Sequence, residues 1–214
     1  QFAVRMGKKD QAVLLNSATL SYQYKSMDDP NYTLVIMSTN KKHSLANSAY
    51  NERVKQSQEA LHLLQQKLGI TSLSDLDFKT FEAYDYLIND AVLIRRVRHV
   101  VTENERTREA TKAMQVNDME RLGRLINASH VSLAYDYEVS SFELDTLVNT
   151  AWQLPGVAGA RMIGGGFAGS AIALVKKDQV ENLKQQVGEE YRNKVGYDAS
   201  FFDVEIVDGP RQLN

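Results

Sequence analysis

Cysteine is absent from the sequence, which excludes disulfide bonds, thiolate chemistry and zinc sites built on cysteine. Long apolar runs are also absent, and none approaches the roughly 20 residues needed to cross a bilayer. Neither sign of charge is in excess, because 25 basic residues stand against 27 acidic ones and the net charge is −2. This balance indicates neither nucleic acid nor an anionic membrane as a partner. No signal-peptide pattern is visible, so we predict a cytoplasmic protein.

The residues that are present have the composition of an ordinary globular protein, with 43% apolar and 24% charged residues in a chain of 214. This length is enough for one large domain or two small ones. Runs of β-branched, aromatic and aliphatic residues predict strands at 12–16, 20–27, 32–39, 171–175 and 201–207. Apolar residues spaced three and four apart predict four long helices and a short one. The first long helix covers about 44–69, the second ends at about 114, the third begins at 117, and the fourth extends from 140 or 141 to Pro155. The short helix is predicted at about 180–195.

The order of these elements indicates the fold class. Gly69 and Gly196 are expected to end two of the helices, Gly69 in the left-handed conformation, and Asn117–Glu120 resembles a capping box that opens another. Clusters of strands, then helices, then strands predict an α+β domain whose antiparallel sheet packs against several long helices.

The stretch GARMIGGGFAGSAIALV, residues 159–175, holds five of the twelve glycines. Gly164, Gly166 and Gly169 match the pattern G-x-G-x-x-G, but an apolar strand-like run follows them instead of the helix that a dinucleotide site requires. A P-loop is excluded too, because no Gly-Lys-Ser/Thr follows. Two interpretations remain open: a glycine-rich turn between strands, or a place where backbone approaches an anion or another backbone closely.

The same stretch strongly resembles the third signature motif of galactokinases, members of the GHMP kinase superfamily. Three further segments resemble that family in order and spacing: NKKHSLANSAYNER at 40–53, RHVVTENERTREA at 98–110 and SLAYDYEVSSFELDTLV at 132–148. Together they extend the resemblance over nearly the whole chain. The resemblance implies a GHMP-kinase C-terminal domain.

The resemblance also suggests where the chain lies in a longer protein. Gln1-Phe2 matches the end of the family's Met-Asp-Gln-Phe segment, whose Asp is the catalytic base. Residues 1–214 are then expected to be the C-terminal domain, with the last residues of an N-terminal ATP- and sugar-binding domain near 1–20. The base, the Mg²⁺ ligands and the ATP-wrapping loop would lie upstream. No catalytic residue, metal ligand or tightly bound cofactor is therefore expected in this chain.

Site residues are carried over from the motifs. Tyr50, in Ser-Ala-Tyr-Asn, matches the tyrosine that reaches the bound galactose; the alternative is a tyrosine packed at a domain edge with its hydroxyl in water. Gly164, Gly165, Gly166 and Gly169 match the loop that borders the phosphates and the sugar. Ile163 and Ala168 depart from the family, which usually has Thr and Gly there.

The implied reaction of the parent protein is transfer of the ATP γ-phosphoryl group, with Mg²⁺, to the C1 hydroxyl of α-D-galactose. The fragment alone is predicted to be inactive, to bind the missing N-terminal domain and to self-associate through the exposed interface. Three alternatives stay open: a non-catalytic galactose and ATP sensor, a GHMP kinase for N-acetylgalactosamine, homoserine or mevalonate, and a domain that only mediates association.

The remaining polar residues suggest support for the fold and no chemistry. None of the four histidines has the spacing of a metal pair, and His130 is predicted to be a structural hydrogen-bonding residue. Asp136 and Glu138 are expected at a helix boundary, and Glu143 and Asp145 in the first turn of the next helix.

Overall fold

The structure, a computed structural model, describes residues 2–41 and 46–210 and contains a four-stranded antiparallel sheet and a separate two-stranded hairpin. The strands are β1 (Gln11–Leu15), β2 (Tyr22–Ser26), β3 (Tyr32–Ser38), β4 (Val157–Ile163), β5 (Ser170–Lys176) and β6 (Ser200–Val204). The helices are α1 (Phe2–Arg5), α2 (Ala46–Gln65), α3 (Phe78–Tyr84), α4 (Ala91–Gln115), α5 (Met119–Tyr135), α6 (Phe142–Trp152) and α7 (Val180–Val195).

The sheet has the strand order β4-β5-β3-β6, and each neighbouring pair is antiparallel. Strands β1 and β2 form a separate antiparallel hairpin. Helices α2 to α6 connect β3 to β4, and α7 connects β5 to β6, which gives the β-α-β-β-α-β arrangement with an enlarged first crossover. The predicted α+β class with an antiparallel sheet and several long helices is confirmed.

Apolar side chains pack in separate layers. One layer lies between the sheet and helices α6 and α7, where Val35, Ala173, Leu147 and Val187 are fully buried. A second lies among the helices; it is formed by α2, α3 and α4 with the turn between α2 and α3, around residues such as Leu64, Phe81 and Val97. The long first crossover thus has an apolar core of its own beside the sheet.

Helix α5 lies directly on the backbone of β4. A Cβ on Gly123 would lie 2.1 Å from the carbonyl oxygen of Ala158, and a Cβ on Gly159 would lie 2.3 Å from the carbonyl oxygen of Gly123. Only glycine allows this approach, because any side chain would collide with backbone. The register of β4 against β5 shifts between Val157 and Gly159, so the strand is bulged where the helix crosses it.

Strand β4 is an edge strand, and side chains cover its free edge. Asn127 Oδ1 accepts from the N–H of Ala160 at 2.8 Å, and His130 Nδ1 accepts from the N–H of Met162 at 3.2 Å. Trp152 Nε1 donates to the carbonyl of Ala160 at 3.0 Å. These bonds satisfy groups that could otherwise pair with another strand.

Several predicted element boundaries were wrong. Strand β4 was not predicted, because its residues Gly159–Ile163 belong to the stretch that was interpreted as glycine-rich. Helix α2 ends at Gln65, where N–H groups bond three residues back and tighten the last turn, and Gly69 lies outside the left-handed region. The last strand ends at Val204 and not at 207.

Other predictions are confirmed. Helix α7 spans 180–195 and ends at Gly196, which has φ +91°. Helix α6 begins after Ser141, whose hydroxyl accepts from the N–H of Leu144. Within the part of the chain that the structure describes, no helix is both long and apolar enough to cross a membrane.

Candidate functional site

Residues 164–169 form the loop of the β4–β5 hairpin, and we call them the glycine loop. Gly164, Gly166, Phe167 and Gly169 all have positive φ, with values of 77°, 81°, 63° and 95°. The loop is therefore a tight turn between two strands, as one of the two interpretations held. The ends of the loop are held by the hairpin pairing of Ile163 with Ser170.

The base of the glycine loop is anchored to the protein. A Cβ on Gly166 would lie 2.0 Å from the carbonyl oxygen of Val139, and the N–H of Phe167 donates to the same oxygen at 2.7 Å. The carbonyl of Gly169 accepts from both the N–H and the hydroxyl of Thr39, at 2.9 and 2.8 Å. Ala168 is buried here, so its side chain fits the position where the family usually has glycine.

The tip of the loop is free of such contacts. Gly164 and Gly165 are exposed, and a Cβ on either would meet nothing within 4 Å. Gly164 still needs to be glycine because of its positive φ, whereas Gly165 does not have positive φ. The fold itself therefore gives no reason for glycine at 165. Exposed glycine backbone of this kind can offer N–H groups to an anion at close range.

Tyr50 lies in the first half of α2 and is 55% exposed. This exposure is compatible with the sugar contact and with the alternative of a tyrosine at a domain edge whose hydroxyl lies in water. The sugar contact itself stays a prediction. One helical turn further, Arg53 donates from Nε to the carbonyl of Tyr137 at 2.6 Å and from Nη2 to that of Glu138 at 2.9 Å.

Residues 136–141, between α5 and α6, receive these bonds, and we call them the connector. Glu138 has a φ of +54°, a conformation that costs free energy in a non-glycine residue. Arg96 donates to the carbonyl of Asp136 and to the Glu138 carboxylate, and Arg95 pairs with that carboxylate at 3.3 Å. The hydrogen bond from Arg96 and the charges of the arginines hold the pKa of Glu138 below its usual range.

A buried histidine supports the start of the connector. The ring of His99 stacks on Tyr137 with centroids 4.6 Å apart, and its Nδ1 lies 3.0 Å from Ser132 Oγ. Ser132 Oγ donates to Asp136 Oδ2 at 2.8 Å, so Nδ1 carries the proton and donates to the serine. Burial lowers the pKa of His99 to about 4. The ring is therefore neutral at pH 7.

Strand β4 is held next to the glycine loop by polar side chains. Arg161 bonds to Glu103 at 3.0 Å and to Ser129 at 2.7 Å. His130 is buried, accepts from Met162 N–H through Nδ1 and places Nε2 3.2 Å from Asp145 Oδ1, which agrees with the predicted structural role.

The acidic residues lie where they were predicted. Asp136 follows α5 directly, so it stands at a helix boundary. Glu143 and Asp145 are in the first turn of α6. Lys41 pairs with Glu143 at 2.9 Å and connects the residues after β3 to that helix. In residues 2–41 and 46–210 no group of three or more histidine, aspartate or glutamate side chains is placed to hold a metal ion.

Comparisons with known proteins agree with this architecture. Residues 110–193 match the family described as GHMP kinases C terminal. The galactokinase of Limosilactobacillus fermentum is 67% identical over 213 residues, which is 100% of this chain and 55% of that protein. The crystal structure of Lactococcus lactis galactokinase complexed with galactose superposes with a TM-score of 0.96 at 45% identity, over 99% of this chain and 55% of that one. The crystal structure of L. major mevalonate kinase in complex with R-mevalonate superposes with a TM-score of 0.53 at 19% identity, over 92% of this chain and 49% of that one. This is a likeness in fold alone.

The chain therefore contains a GHMP kinase C-terminal domain. Over its whole length it is a homologue of galactokinases and corresponds to their C-terminal part. It spans about half the length of the curated relatives that it matches.

The two adjacent glycines at 165 and 166 are expected to respond differently to alanine. Gly165→Ala should leave the free energy of unfolding within about 0.5 kcal/mol of the original, because its Cβ enters open space. Gly166→Ala should lose about 1–3 kcal/mol or more, since its Cβ meets the Val139 carbonyl at positive φ. Urea unfolding of both variants measures this, and equal losses would contradict the division into tip and base.

His99 is expected to make the fold sensitive to acid. The folded chain holds the pKa of this ring at about 4, whereas the unfolded chain has about 6.5. Between these values only the unfolded state binds the proton, so stability falls as pH drops from about 6.5 to about 4. At pH 5 the loss from this group should be on the order of 2 kcal/mol.

The measurement compares the original chain with His99→Gln. Urea unfolding at pH 7 and pH 5 should show a smaller loss in the variant, because the other titrating groups are common to both chains. An identical loss in both would mean that His99 does not carry this part of the acid sensitivity.

Proposed function

We propose that this chain forms one wall of the active site of a galactokinase, which transfers the γ-phosphoryl group of ATP to the C1 hydroxyl of α-D-galactose. The observation that carries the proposal is the TM-score of 0.96 at 45% identity to a galactokinase crystallised with galactose.

In this proposal, two features of the chain contact the substrates. Tyr50 offers an exposed hydroxyl to a sugar oxygen and a ring to the apolar face of the sugar. The tip of the glycine loop offers backbone to the phosphates, with Gly164 and Gly165 exposed above an anchored base that includes Gly166 and Gly169. Phosphoryl transfer depends on positioning and on neutralising charge, and rigid backbone donors serve both needs.

Other parts of the reaction belong to the rest of the protein in this proposal. The base that accepts the sugar proton and the Mg²⁺ that accompanies ATP would be held outside this chain. In this proposal the residues of this chain contribute binding and positioning. We also propose a cytoplasmic location, in keeping with the sequence pattern.

The partner of this chain is then the N-terminal domain. The hairpin β1–β2 lies outside the four-stranded sheet, which supports the assignment of the residues near 1–20 to the N-terminal domain. Leu15, Leu20 and Tyr22 on this hairpin are 36, 65 and 41% exposed, an apolar surface that a neighbouring domain would cover. Without it, the same surface would favour self-association.

A chimera tests the proposed activity. In the L. fermentum galactokinase, this chain replaces the 213 matched residues. The chimera should release ADP from Mg-ATP in the presence of galactose, and the 214-residue chain alone should not. Homoserine and mevalonate serve as control substrates. A folded chimera that binds galactose without turnover would favour the sensor, and turnover with a control substrate would favour another GHMP kinase.

Tyr50→Phe in the same chimera tests the sugar contact. Loss of one hydrogen bond to the sugar should cost about 0.5–1.5 kcal/mol of transition-state stabilisation. This lowers kcat/KM for galactose roughly two- to twelvefold and spares ATP binding. Tyr135→Phe is the matched control, since that tyrosine is 71% exposed on α5. Unchanged galactose kinetics in Tyr50→Phe would remove Tyr50 from the site.

A further inference from the structure

The two proposed site features lie on separate elements, and Arg53 connects them. Tyr50 and Arg53 are three residues apart on α2, so their side chains leave the same side of the helix. Arg53 bonds to the connector at Tyr137 and Glu138, at 2.6 and 2.9 Å. The next connector residue, Val139, accepts the N–H of Phe167 in the glycine loop at 2.7 Å.

The geometry of this contact requires an arginine. One planar guanidinium donates to two consecutive backbone carbonyls, which a lysine ammonium cannot reproduce because it lacks the rigid fork. The Arg53 side chain is only 11% exposed, so water does not compete strongly for these bonds. The carbonyl groups lie beyond the last turn of α5, where the helix itself offers them no partner.

The connector depends on such support because its backbone is strained. Glu138 has a left-handed conformation, and residues of this kind persist only where the surroundings hold them. A second guanidinium, that of Arg96, holds Asp136 and the Glu138 carboxylate. Both arginines donate to Gln56 Oε1, at 3.2 Å from Arg53 and 2.8 Å from Arg96. The Glu138 carboxylate and the three carbonyls offset the repulsion between the two cations.

We propose that Arg53 is a positioning residue of the kinase site. By holding the connector it fixes the Val139 carbonyl, and through Val139 it sets the place of the glycine loop relative to Tyr50. The inference rests on the proposed function, since only there do Tyr50 and the loop act on one substrate. Arg53 itself touches neither the sugar nor the phosphates in this role.

Hydrogen exchange in the 214-residue chain tests the structural link. Arg53→Lys should speed exchange of the Phe167 amide about tenfold or more, while Ala173 in β5 stays protected. Arg121→Lys is the control: its side chain bonds to Glu109 near the start of α5, at the opposite end of that helix from the connector. Exchange at Phe167 that is the same in Arg53→Lys and in the original chain would overturn the inference.

A second variant guards against misfolding. If Arg53→Lys does not unfold cooperatively, Arg53→Gln carries the test, because a neutral glutamine removes the guanidinium fork that bonds to both connector carbonyls without leaving a buried charge. Faster exchange at Phe167 in this variant supports the inference, and unchanged exchange overturns it.

Kinetics of the chimera separate this inference from the proposed function. Arg53→Lys should lower kcat by about tenfold or more with little change in KM, because a displaced loop misaligns bound substrates. Arg121→Lys should retain its kcat. An unchanged kcat in a folded Arg53→Lys chimera overturns the positioning role. An inactive parent chimera counts against the proposed function alone, since exchange at Phe167 decides the inference without turnover.

Discussion

Helix α5 and strand β4 meet through their backbones, and this contact determines where other parts of the candidate site lie. Because Gly123 and Gly159 have no side chains, the helix lies against the strand at backbone distance. The next residues of α5 are then close enough for Asn127 and His130 to accept hydrogen bonds from β4. Strand β4, which leads into the glycine loop, is thereby fixed along its free edge. The position of β4 in turn determines where the glycine loop begins.

The glycine loop combines two requirements that are easily confused in a sequence. At its base, Gly166 is needed because a Cβ at this position would collide with the carbonyl oxygen of Val139. The carbonyl of Gly169 accepts a hydrogen bond from Thr39. At its tip, Gly165 meets no such neighbour. A loop with an anchored base and an exposed tip is suited to hold backbone N–H donors in place for a ligand, because the loop does not have to reorganise when the ligand binds.

Charge around the connector is arranged for stiffness. Arg53 and Arg96 are both largely buried, and burial together with the neighbouring Arg96 lowers the pKa of Arg53. Such an arrangement is costly unless the donors find partners, and the carbonyls of Asp136, Tyr137 and Glu138 accept three of these bonds. The desolvated bonds hold a strained segment that would otherwise relax, so the charge contributes to conformational specificity.

Local patterns in the sequence were sufficient for much of the fold. The apolar spacing and the terminal glycine predict α7 and its end at Gly196, because helix formation and helix capping depend on neighbours a few residues apart. The same holds for Ser141 at the start of α6. Strand β4 was missed because its glycine and alanine residues lack strand propensity, and pairing with β5 and contact with α5 stabilise it instead.

The candidate site shows the same division. Composition and short, ordered motifs are enough to predict the class of fold, the family resemblance and the position of the glycine-rich turn. Three-dimensional contacts were needed to show which glycines the fold requires and that Arg53 joins the helix of Tyr50 to the connector. Those properties depend on which carbonyl oxygens lie within a few ångströms of a given atom, and residues distant in the sequence supply them.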